Sequence, residues 1–156
     1  LHAEHELNAS TFAARVTVST LSDIYSGIVS AIGALKGPLH GNANEQVAHM
    51  LDEIGCVNEV EPYIDRKIAN RERIMGFGHR VYKNGDPRVV YLRELSKELA
   101  AWRGDSRWYD ISLEIEKKVS EKTGLLPNVD FYSASVYRYL LIPSDLFTLI
   151  FAISRT

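Results

Sequence analysis

Apolar residues recur along almost the whole chain at spacings of three and four, the period with which an α-helix buries one face. Leu92, Leu95, Leu99 and Trp102 form one such stripe, Trp108, Ile111, Ile115 and Val119 a second, and Val47, Met50, Leu51 and Ile54 a third ahead of Gly55. Ile24, Ile28, Ile32 and Leu35 share a further face. Stripes of this kind are read as core. Asn8 or Ser10 can cap a first helix, Ser22-Asp23 a second that Gly37-Pro38 stops, and Asp86-Pro87 a cap with proline at the first helical position. Pro62 suits the first turn of a helix running towards Arg71, Gly124 ends the one that starts near Trp108, and a last pair spans about 128–141 and 144 onward. Alternation with period two is nearly missing. The one long irregular stretch, Ile74 to Arg88, is punctuated by Gly76, Gly78 and Gly85 and reads as a loop or a short hairpin at Asn84-Gly85. The expected class is therefore all-α.

A chain of 156 residues is one domain or one piece of a larger one, and 46% hydrophobic residues can supply a core. Eighteen Lys and Arg stand against twenty Asp and Glu, a formal charge of −2, which argues against a nucleic-acid partner. A single cysteine, Cys56, cannot close an internal disulfide and fits a reducing cytoplasm. No run of about 18 uncharged apolar residues occurs, so neither a membrane span nor a secretory leader is expected. The densest apolar stretch, Val136 to Ile153, is broken by Arg138, Pro143, Ser144 and Asp145. Opening at Leu1 and ending in Phe151-Ala-Ile-Ser-Arg-Thr156, the sequence is expected to be an internal segment whose flanks cover this apolar end.

Most of the histidines sit at helix boundaries or in glycine-containing loops, where a scaffold presents reactive groups. His40, in Gly37-Pro-Leu-His-Gly41 ahead of a helix near Asn42, is either a donor to a developing oxyanion, kept neutral by the helix dipole, or a loop histidine bonded to backbone. His79 follows Gly76-Phe-Gly78, with Arg80, Lys83 and Arg88 close behind. That loop can bind an anion or be a solvated basic turn. It is not a dinucleotide fingerprint, because no strand precedes it and the third glycine is missing. Asp130, in Pro127-Asn-Val-Asp130-Phe-Tyr132, is either an ordinary N-terminal helix cap or a base set among aromatic rings. His2 and His5, with Glu4 and Glu6, have no further Cys/His cluster to complete a metal site, so no metal is expected. His49 reads as packing or surface.

Taken together, His2-Ala-Glu-His5-Glu-Leu-Asn-Ala-Ser10, Gly37-Pro-Leu-His40-Gly41, Gly76-Phe-Gly-His79-Arg-Val-Tyr-Lys-Asn-Gly-Asp-Pro-Arg88, Asn128-Val-Asp130 and Ser154-Arg155 resemble the citrate synthase family in content and order. The wording looks most like the shorter bacterial and archaeal-type enzymes, a group that includes 2-methylcitrate synthases. The resemblance implies condensation of acetyl-CoA with oxaloacetate and hydrolysis to citrate and CoA, with propionyl-CoA or a catalytically inert helical fragment as alternatives. By position it assigns Asp130 as the base, His40 as donor to the enolate oxygen and His79 as donor to the ketone. It gives oxaloacetate binding to His5, Arg88 and Arg155, and CoA binding to Phe77, Gly78 and Lys83.

The same resemblance implies an all-α fold with residues 41–134 as a small domain and 1–40 and 135–156 as parts of a large one. The active site then lies at the join, reached by hinge closure. It also implies a homodimer built in part on the helices from Asn8 to Leu35, no metal and no tightly bound cofactor, the acyl-CoA being a substrate.

Overall fold

The computed structural model describes residues 7–37 and 40–155, the side chain of Arg155 excepted. Among them lie eight α-helices: α1 (Ala9–Ser19), α2 (Ile24–Leu35), α3 (Ala43–Ile54), α4 (Val60–Ala69), α5 (Arg88–Arg103), α6 (Arg107–Thr123), α7 (Val129–Tyr139) and α8 (Phe147–Arg155). Short 3₁₀ turns at Val57–Glu59 and Ser144–Leu146 lead into α4 and α8. Among the described residues the nearest approach to a sheet is one isolated bridge between Phe77 and Pro127, so the all-α class holds. None of the described helices is long and apolar enough to cross a membrane.

The chain divides into two compact units, one of residues 1–43 with 145–156 and one of residues 44–144. In the first, α1 and α2 pack as a helical hairpin and α2 also meets α8. Asn8 caps α1 by accepting from the Thr11 amide, and Asp23 caps α2 by accepting from Ser26. Thr17 Oγ1 donates across the hairpin to Ser30 Oγ at 2.8 Å. Gly41 is tightly packed on the end of α2, because a Cβ there would lie 2.5 Å from the Leu35 carbonyl oxygen.

In the second unit α7 is the central element. Every residue from Phe131 to Tyr137 is buried, so the helix is enclosed on all sides, as a helix without an amphipathic face must be. It packs mainly on α5 and also on α6, which in turn packs on α4 and α5. Arg138 ties it to α3, donating to the Ala48 carbonyl at 3.0 Å and pairing with Asp52. Gly124, at φ +71, closes α6 in the left-handed conformation that suits glycine.

The stripe expected on α5 is displaced. Leu92 is buried, but Leu95 is exposed and Trp102 is 71% exposed. The face that packs on α7 carries Val89, Leu92, Ser96 and Ala100 instead. Its small residues explain the change. Ser96 Oγ and Ser135 Oγ meet at 2.8 Å in the buried seam. Leucines at the same level would prevent so close a helix approach. The cap of α5 also moves by one residue, Pro87 taking the N-cap position rather than the first helical one. The stripe of α6 is as expected, with Ile111, Ile115 and Val119 fully buried.

Candidate active site

The irregular stretch from Ile74 to Arg88 lies in the second unit and is strapped to the chain that enters α7. The Asn128 amide donates to the Gly76 carbonyl at 2.9 Å, the Gly78 amide to the Leu126 carbonyl at 2.8 Å, and Asn128 Nδ2 to the Gly78 carbonyl at 2.8 Å. Gly76 makes the crossing possible. Its φ is +82, and a Cβ would lie 2.9 Å from both Phe131 Cβ and Val47 Cγ2. The result is a loop with hairpin-like pairing to residues 126–128, not a hairpin at Asn84-Gly85.

Within that loop His79 is fixed by its own backbone. Nδ1 accepts from the Val81 and Tyr82 amides, each at 3.1 Å, and the ring sits 4.6 Å from that of Tyr82. Backbone amides only donate, so in the neutral ring the proton is on Nε2, which becomes a hydrogen-bond donor. Arg88 also meets Tyr82, its guanidinium 5.7 Å from the ring centroid. The buried carboxylate of Asp86 holds that guanidinium in a two-point grip, at 2.8 Å to Nε and 2.7 Å to Nη2. Burial alone pushes the Asp86 carboxyl up, but the hydrogen bonds and charge of Arg88 outweigh it and hold the group below its ordinary value.

Asp130 is the second residue of α7 and is half-buried. Its amide is capped by Asn128 Oδ1 at 3.0 Å, so the capping is done by Asn128 and not by the Asp130 carboxylate. Behind it, the buried Tyr132 hydroxyl donates to Glu116, which Arg93 also pairs with. Desolvation, reinforced by that carboxylate, pushes the phenol well up, so it stays a neutral donor and an anchor for the helix.

Beside the loop opens a cavity of about 680 Å³ that Phe77, Gly78, His79 and Lys83 help to line. Ile68, Ile74, Leu125 and Leu126 form apolar wall, while Arg71, Arg73 and Arg80 add positive charge against the single carboxylate of Glu72. Apolar walls with a cationic rim suit a flat ring system carrying phosphates. Lys83 Nζ, in this arrangement, donates to the His79 carbonyl at 3.2 Å.

His40 belongs to the first unit. Its Nε2 accepts from the Ser10 amide at 3.2 Å and stands 2.9 Å from Ser10 Oγ. With Nε2 accepting, the proton of the neutral ring is on Nδ1. His5 and His2 lie outside the described residues, as does the side chain of Arg155 at the end of α8. Six of the residues singled out in the sequence, Phe77, Gly78, His79, Lys83, Arg88 and Asp130, thus belong to one compact unit, on one loop, the first residue of α5 that follows it and the helix strapped to it. Sequence reasoning took Ser10 and Asp86 only as caps and passed over Arg71 and Arg73. Two arginines directly ahead of a glycine-rich loop were the available signal for the latter. Among the described residues no group of three His, Cys, Asp or Glu side chains is placed to hold a metal ion.

The model of the family "Citrate synthase, C-terminal domain" matches residues 1–156. Citrate synthase 2 of Bacillus subtilis is 65% identical over 155 residues, a match covering 99% of this chain and 42% of that protein. A 2-methylcitrate synthase of Shewanella oneidensis is 46% identical, covering 99% and 41% respectively. A solved structure of the Thermoplasma acidophilum citrate synthase, in a ternary complex with carboxymethyl coenzyme A and oxaloacetate, superposes with a TM-score of 0.91 at 41% identity, over 99% of this chain and 42% of that one. The chain spans about two fifths of the length of the curated relatives it matches.

Proposed function

We propose that this chain, which belongs to the citrate synthase family, is the segment of a larger synthase that supplies the catalytic groups for condensing acetyl-CoA with oxaloacetate. The observation that carries the reading is a locked donor histidine lining a cationic, apolar-walled cavity, with a buttressed arginine and the start of the helix that bears a carboxylate tied by hydrogen bonds to the same stretch of chain. Asp130 takes a proton from the thioester methyl group, and the His40 ring donates to the enolate oxygen that forms. His79 donates from Nε2 to the oxaloacetate ketone as carbon attacks it, and water then cleaves citryl-CoA to citrate and CoA. Arg88, Arg155 and His5 hold the carboxylates of oxaloacetate, the planar fork of arginine matching them. Phe77, Gly78 and Lys83 bind CoA, the cavity beside them having the volume and charge for its nucleotide end.

In this reading residues 41–134 belong to a small domain and 1–40 and 135–156 to a large one. The separation of the chain into two compact units supports a two-body arrangement. The enzyme works as a cytoplasmic homodimer without a metal or a tightly bound cofactor. The exposed apolar residues of α1 and α2, Phe12, Val16, Ile24 and Val29 among them, support a partner subunit on that hairpin. The identity to a 2-methylcitrate synthase supports propionyl-CoA as an alternative substrate. A catalytically inert helical fragment is the remaining alternative for the 156-residue chain made alone.

The test is release of free CoA thiol from acetyl-CoA and propionyl-CoA, with and without oxaloacetate, by the full-length enzyme and by the 156-residue chain. The full-length enzyme is expected to release thiol only with oxaloacetate, and the acyl preference distinguishes the two synthases. Silence with both substrates rejects the reading. Arg88→Lys keeps a positive charge for Asp86 but loses the fork, so the KM for oxaloacetate should rise about tenfold or more in a protein that still unfolds cooperatively. An unchanged KM removes Arg88 from the binding site.

A further inference from the structure

Asp86 does more than a capping residue needs to do. One accepted bond from the Arg88 amide, made by Oδ1 at 3.0 Å, would serve the start of α5. The carboxylate instead engages further partners with both oxygens. Oδ1 also accepts from Arg88 Nε, and Oδ2 accepts from Arg88 Nη2 at 2.7 Å and from the Val129 amide at 3.0 Å, 43 residues away in sequence. The Asp86 side chain is fully enclosed and that of Arg88 is 12% exposed. Val129 opens α7, and the next amide, that of Asp130, is the one Asn128 caps. Two side chains from two places in the chain therefore satisfy consecutive orphan donors at the helix start.

With all four bonds made, both Asp86 oxygens are occupied, and the side chain is closed off from solvent, so it is not placed to exchange a proton with substrate. What it does is set a distance. One rigid carboxylate joins the guanidinium that grips oxaloacetate to the backbone of the turn that carries the base.

We propose that Asp86 is a positioning residue for the condensation, which through Arg88 Nε and Nη2 and the Val129 amide fixes the separation between the bound dicarboxylate and the Asp130 carboxylate. The inference rests on the reaction proposed above. Its energetic logic is that carbon–carbon bond formation needs both substrates held to within a fraction of an ångström, so a shared anchor is more effective than two separate ones.

Two variants of the full-length enzyme test it. Asp86→Asn puts an amide NH₂ against donors and removes the charge that holds Arg88. It should raise the oxaloacetate KM at least tenfold and also lower kcat at saturating oxaloacetate at least tenfold. Asp86→Glu keeps the charge and moves the carboxylate by one methylene. Arg88 can follow on its flexible arm, but the backbone of α7 cannot. The expected signature is therefore a split, with the oxaloacetate KM within about threefold of the parent and kcat reduced about tenfold. Exchange of the thioester methyl protons with deuterated water, which reads the base step alone, should fall in parallel with kcat.

If Asp86→Asn does not fold, the Asp86→Glu split decides. A fall in melting temperature with kcat and methyl exchange both unchanged in Asp86→Glu marks Asp86 as structural only and overturns the inference while leaving the reaction standing. A parent enzyme that releases no thiol overturns the reaction reading, and the inference with it.

Discussion

Asp130→Ala is expected to lower the turnover of the full-length enzyme by about a hundredfold to ten-thousandfold, the range over which a positioned general base contributes. The methyl group of a thioester is a weak carbon acid, and of the groups on the loop and the helix start Asp130 is the one proposed to take its proton. The fold should survive. Asn128, not Asp130, caps α7. An acidic residue in a helix's first turn contributes only about 0.3–1 kcal/mol through the macrodipole. The side chain is only half-buried, between Val129 and Phe131, which are both buried. Steady-state kinetics beside a thermal melt would therefore show a large loss of kcat with a melting temperature near that of the parent. Near-normal turnover would remove Asp130 as the base.

Gly76→Ala should be among the most destabilising single methyl groups that can be added to this chain. The backbone there has φ +82, which strains any residue with a Cβ, and the new carbon would lie 2.9 Å from Phe131 Cβ and 3.0 Å from Phe131 Cα. Neither atom can swing aside, because Phe131 is fully buried in the central helix of its unit. Strain and overpacking together amount to roughly 2–5 kcal/mol, a large share of what holds a domain folded. Gly78→Ala is the control. Its φ of +77 carries similar backbone strain, but the added carbon meets only Leu125 Cδ2, at an ordinary 3.7 Å. Urea denaturation should thus place Gly76→Ala well below Gly78→Ala in stability, and equal midpoints would refute the steric account.

Much of this architecture was legible in the sequence, for identifiable reasons. Helix ends were readable where the chemistry is local: Asn8 and Asp23 at N-caps, Gly124 at a C-cap. Ile111, Ile115 and Val119 announced their face through an unbroken spacing of four, and all three are fully buried. The buried face of α5 was not legible. Leu95 and Trp102 look like core by hydrophobicity, yet the packing is decided by how closely α7 can approach, and small residues at Ser96 and Ala100 permit that. The candidate site followed the same rule. His79, Arg88 and Asp130 stood out by residue type and by motif. The roles of Ser10 and Asp86 depend on partners far away in sequence, His40 in one case and Val129 in the other, so no local pattern could carry them.

The strap between the glycine loop and residues 126–128 has a consequence for anyone recombining this protein with its relatives. Its three hydrogen bonds join main chain to main chain or to a side chain of the opposite segment, and Asp86 adds a fourth tie to Val129. A cassette of residues 74–88 moved into another scaffold would arrive without the stretch that gives it shape. A cassette covering both 74–88 and 125–130 carries its own mould. Crossovers between homologous genes in this region should therefore be placed in the α5 and α6 helices that separate the two pieces only when both pieces come from the same parent.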